Sequence, residues 1–142
     1  GWAKPVQVNP YNFKNAGVKK GMMLVSLAGP AMNILLAFVG MLLLKLLIPF
    51  SSAEWGEMSI GLVQPLIYIN LILAAFNLIP VPPLDGSKIL AGILPDSGAR
   101  IMYGLEQYGF VILLLLIVTG IIPKLLWPLT NFLYNALYLL VF

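Results

Sequence analysis

Apolar residues fill several long runs of this chain, and polar residues gather in the gaps between them. The first run, Met22 to Leu47, rises about 1.5 Å per residue as a helix, enough to cross a hydrocarbon core about 30 Å thick with some tilt. The second, Ile60 to Ile79, is interrupted only by Gln64, Pro65, Asn70 and Asn77. A third extends from about Met102 to Ile122, with Glu106 and Gln107 near its start. The last, Leu125 to Phe142, is uncharged and sits at the short edge of a span, so it either crosses the bilayer or lies in its interface. The pattern predicts an all-α, polytopic membrane protein of three to four apolar helices.

The gaps are as informative. Residues 1–21, with Pro5, Asn9-Pro10, Asn15 and Gly21, read as an irregular segment at the membrane surface, where Trp2, Tyr11 and Phe13 suit the headgroup layer. Residues 49–59 read as a loop. "PVPPLDG", residues 80–86, stops the second run, because its prolines remove backbone donors and forbid regular helix. Ser87 to Leu94 reads as a short helix ended by Pro95 and "DSGAR".

Composition removes most alternatives. Hydrophobic residues make up 61% of the chain and charged residues 9%, too few for the polar shell of a soluble domain. The net charge of +3 is too small and scattered for a nucleic-acid groove, so no nucleic acid is expected. Lys4, Lys14, Lys19 and Lys20 precede the first run, while Glu54 and Glu57 follow it. By the positive-inside rule the lysines face the cytoplasm and the acidic loop faces away. Residues 1–142 read as one membrane domain of a multi-pass protein, with Asp85 toward the cytoplasmic side. There is no cysteine, so thiolate metal sites are excluded, and there is no histidine.

Against this background Asp85 stands out. A carboxylate in hydrocarbon costs on the order of 2.5 to 3.5 kcal/mol on insertion scales. Either it sits in water and caps the helix that begins near Ser87, or it serves as a ligand or proton carrier in a water-lined pocket at the break. Asn70 and Asn77 are seven apart on one helical face, and Asn33 follows Gly29 by four. These amides are candidates for bonding between helices, a role assigned to Asn70, and Asn33 and Asn77 are equally candidates for a site. Asn131, Asn135 and Tyr138 read as a packing face, and Glu106 as a solvated residue at a membrane boundary.

"AGPAMN" (28–33) and "NLIPVPPLDG" (77–86) together resemble the site-2 protease family of intramembrane zinc metalloproteases. The opening "GWAKPVQVNPYNFKN" and "LEQYGFVILLLLIVTGI" (105–121) are similar to its compact prokaryotic branch as well. The resemblance implies a zinc ion held by two histidines of an H-E-x-x-H helix and one distant aspartate, which by motif position is Asp85. It implies a zinc-polarised scissile carbonyl, a glutamate base, and Asn33 and Asn77 as contacts to an oxyanion or substrate backbone. The partners it implies are the lipid bilayer, a membrane-spanning protein substrate and an upstream part of the same polypeptide. The H-E-x-x-H half is missing here, so these residues alone are expected to be inactive. Two accounts compete: a C-terminal portion of a longer enzyme, which the abrupt start favours, or a pseudoprotease that acts as a binding or scaffold protein. A proton-coupled transport subunit is a further rival.

Overall fold

The computed structural model describes residues 16–142, and the expectations for the residues before them, including Trp2, Tyr11 and Phe13, lie outside the described residues. Among the described residues six α-helices follow one another: α1 (Ala16–Leu47), α2 (Glu54–Leu78), α3 (Asp85–Ile93), α4 (Asp96–Leu105), α5 (Gly109–Val118) and α6 (Ile121–Val141). There is no strand among the described residues. Three stretches, Lys19–Phe50, Glu54–Leu78 and Asp96–Val118, are long and apolar enough to cross a membrane. The protein is all-α and multi-pass.

α1 and α2 form an antiparallel pair that organises the rest. One face of α1 carries Ser26, Pro30, Ala37, Met41 and Leu44, all buried. The spacing of three and four keeps these positions on one stripe. α2 answers with Ile67 and Leu71, which pack with Ala37, Met41 and Leu44, and further along α2 Ala74 and Ala75 are buried too. Gly40 of α1 sits close against α2: a Cβ there would lie 2.8 Å from Ile67 Cγ1. The outward faces stay bare, with Val118 75% and Leu139 81% exposed. In a membrane, lipid covers such faces.

α6 runs along α2 from end to end. Ile122 packs with Ile79 and Leu84, and Leu137 and Val141 pack with Met41, Leu44 and Ile67 at the other end. There Lys45 Nζ donates to the Val141 carbonyl at 2.7 Å, a cation at a helix C-terminus. α6 lies alongside α2 and is not one of the three described stretches long and apolar enough to cross a membrane.

Several boundaries differ from those read in the sequence. α1 begins at Ala16, so residues 16–21 are helical; Lys19 anchors this turn by donating to the Leu94 carbonyl at 2.6 Å. α2 begins at Glu54, inside the expected loop, with Glu54 and Glu57 in its first turn, where the helix dipole favours acids. "DSGAR" continues as α4, with Asp96 in its first turn, rather than ending a helix. The expected helix from Met102 to Ile122 is broken twice. A 3-10 turn at Glu106–Tyr108 separates α4 from α5, and Gly120, at φ 85°, turns the chain into α6. Left-handed backbone of that kind favours glycine.

Candidate functional site

α3 lies antiparallel to the first part of α1. Gly92 abuts Met23, Leu94 receives the Lys19 ammonium, and at the other end the Asp85 carboxylate reaches Gly29, where a Cβ would sit 3.4 Å from Oδ2. Gly29 lies about 15 Å along the helix axis from Lys19, at about 1.5 Å per residue. The chain therefore breaks well inside the bundle, and α3 carries it back toward the Lys19 end.

Such a break is stable only if its backbone groups find partners, and they do. The Ile79 N–H donates to Phe76, Val81 to Ile79, Leu84 to Val81 and Ser87 to Leu84, while Pro80, Pro82 and Pro83 have no N–H to satisfy. The Ser87 hydroxyl adds a second bond to the Leu84 carbonyl at 2.8 Å. Gly86 fits because it has no side chain: a Cβ would overlap the carbonyl oxygens of Leu78 and Ile79. Gly109 of α5 packs over Pro82–Pro83, a cis peptide, and covers the turn from the other side.

Asp85 is the first residue of α3 rather than its cap. The N-cap is Leu84, no side chain caps the helix, and the helix starts two residues before the expected Ser87. The carboxylate is half-buried and lines a cleft of about 500 Å³ between α1 and α3. α1 supplies Gly17, Gly21, Met22, Val25 and Ser26 to the walls, and α3 supplies Asp85 and Lys88. Lys88 stands one turn from Asp85, yet its ammonium pairs with Glu106 at 3.0 Å. Glu106 is thus ion-paired and only about a third exposed, where the sequence suggested a solvated residue. Among the described residues, no cation or hydrogen-bond donor engages the Asp85 carboxylate.

The other sequence candidates lie elsewhere. Asn33 sits half-buried on α1 one turn beyond Gly29, and Asn77 near the end of α2; neither lines the cleft. Asn77 Nδ2 donates to the Leu73 carbonyl at 3.0 Å, and Asn70 Nδ2 to Leu66 at 2.9 Å, each within its own helix. Ser26 and Lys88 are cleft residues that the sequence reading missed. Lys88 had a usable signal, since i and i+3 share a helix face with Asp85.

A single hard oxygen donor that faces a cleft without a protein counter-charge has the chemistry of a metal ligand. Among the described residues no group of three or more acidic, histidine or cysteine side chains could hold an ion, so Asp85 fits as one member of a set rather than a whole one.

Residues 45–118 match the model of peptidase family M50. The chain is 42% identical over 137 residues to the "Putative zinc metalloprotease YwhC" of Bacillus subtilis, an alignment covering 92% of this chain and 60% of that protein. It is 44% identical over 66 residues to a protein of the same description in Methanocaldococcus jannaschii, covering 46% of this chain and 31% of the relative. It is 33% identical over 94 residues to "Putative zinc metalloprotease Rip2" of Mycobacterium tuberculosis, covering 66% and 34%. The chain thus spans between about a third and three fifths of the length of these relatives. No solved structure gives a significant match.

Proposed function

The chain belongs to peptidase family M50, the site-2 protease family, and on that premise we propose that it forms the aspartate-bearing part of an intramembrane zinc metalloprotease that cleaves membrane-spanning proteins. One observation carries the reading: a half-buried carboxylate, unpaired among the described residues, stands in a cleft where a helix breaks inside the bundle. Asp85 supplies one zinc ligand, and two histidines come from an H-E-x-x-H helix elsewhere in the polypeptide. Zinc held by three protein ligands supplies Lewis-acid polarisation of the scissile carbonyl.

The residues of this chain do the holding and positioning. The carboxylate stands beside Gly29 of α1, and Gly86 lets α3 start directly against the end of α2. The Lys88 ammonium, one turn along α3 from Asp85, pairs with Glu106 instead. Asn33 and Asn77 lie outside the cleft walls, and Asn77 gives one amide proton to the Leu73 carbonyl, so any contact to substrate backbone or developing oxyanion charge would use their remaining donors from beyond the cleft. The lysines at the start of α1 turn the Asp85 end toward the cytoplasm. One carboxylate is no zinc site, so residues 1–142 alone do not hydrolyse peptides.

The test is Asp85→Asn in the full-length enzyme. Asparagine keeps size and shape but loses the charge that favours binding to a divalent cation. Proteolysis is expected to vanish while expression and membrane insertion stay unchanged. Turnover near the wild-type rate would refute the assignment.

A further inference from the structure

The cleft holds a second polar group whose position asks for a partner. Ser26 is 5% exposed, yet its side chain lines the cleft with Asp85 and Lys88. Helical serines commonly return their hydroxyl to the carbonyl four residues back, as Thr119 and Thr130 do here, donating to Leu115 and Leu126 at 2.8 Å each. Ser26 makes no such bond among the described residues. It stands one turn from Gly29, and hence one turn along α1 from the Asp85 carboxylate. Its oxygen is not among the buried unpaired atoms, of which the described residues have none, so the hydroxyl opens onto the cleft and is free to bond what lies there.

The rest of the cleft indicates what that is. Its walls are mostly apolar, with Met22 and Val25, which suits a hydrophobic chain. Gly21, one turn further along α1, leaves the floor open, since a Cβ there would meet nothing within 4 Å. An apolar polypeptide laid in this cleft brings its own polar groups, namely backbone N–H and C=O. We propose that Ser26 is a substrate-binding residue, whose hydroxyl donates to a backbone carbonyl of a peptide seated between α1 and α3 beside Asp85. The inference rests on the protease reading for the identity of the occupant.

The test uses the full-length protein in detergent and a fluorophore-labelled, Leu- and Ala-rich peptide as probe, with zinc content measured on the same samples. Ser26→Ala is expected to weaken probe binding roughly 3- to 10-fold, the scale of one neutral hydrogen bond, with zinc content unchanged. Gly21→Leu, whose Cβ meets nothing within 4 Å and whose side chain takes up floor space, should weaken it at least as much. Unchanged probe affinity in Ser26→Ala overturns the assignment, whatever Gly21→Leu does. Loss of zinc from Ser26→Ala also overturns it, because the hydroxyl would then act on the metal site. A wild-type protein that binds the probe through Ser26 but holds no zinc would defeat the protease reading and leave the peptide contact standing.

Discussion

Glycine and aspartate act as one unit at the break. Asp85 gives the charge, and Gly86 fixes where that charge lies, because only a residue without a Cβ can sit against the carbonyls of Leu78 and Ile79. Gly86→Ala is therefore expected to push α3 away from α2, at a cost of about 1 to 3 kcal/mol for forced overpacking, and to lose activity with Asp85 intact. Gly61→Ala is the control. A Cβ at Gly61 meets nothing within 4 Å, so the change should be neutral or stabilising by up to about 1 kcal/mol. Thermal unfolding of both variants in detergent measures the contrast; equal midpoints would remove Gly86 from the account.

At the level of elements, the Lys88–Glu106 pair ties α3 to the turn before α5. Both side chains are about a third exposed or less, so the pair adds little stability, but it decides which way the ammonium points. Glu106→Gln releases Lys88 one turn from Asp85, where it competes for the carboxylate. Zinc retention of the full-length enzyme against a chelator should fall about 10-fold, the low end for residues that support metal ligands, and Lys88→Met on the Glu106→Gln background should restore it. No change in Glu106→Gln would show that the pair is merely structural. The apolar runs and the proline break were legible in the sequence because lipid imposes length and composition on a span. The interruption at Glu106–Gly109 was not, since Gly109 answers to Pro82–Pro83 far away in the chain. The starts of α1 and α2 were missed for a related reason: lysines and glutamates that read as loop are held by a distant carbonyl or by their own helix dipole. Asp85 was legible as a charge in an apolar setting. Ser26 was not, because its place on the cleft wall exists only in three dimensions.

At the scale of the whole molecule, bare outer faces and a sparse core fit a bundle that lipid completes. Within it, the chain breaks after α2 and α3 turns back along α1, leaving a cleft with one carboxylate at the level of Gly29. The central claim is that this carboxylate is a zinc ligand. Elemental analysis of purified full-length protein, wild type beside Asp85→Asn after equal dialysis, tests it most directly. The account predicts about one zinc per wild-type chain, the stoichiometry of a three-ligand catalytic site, and little or none in the variant. Equal zinc in both proteins would contradict it.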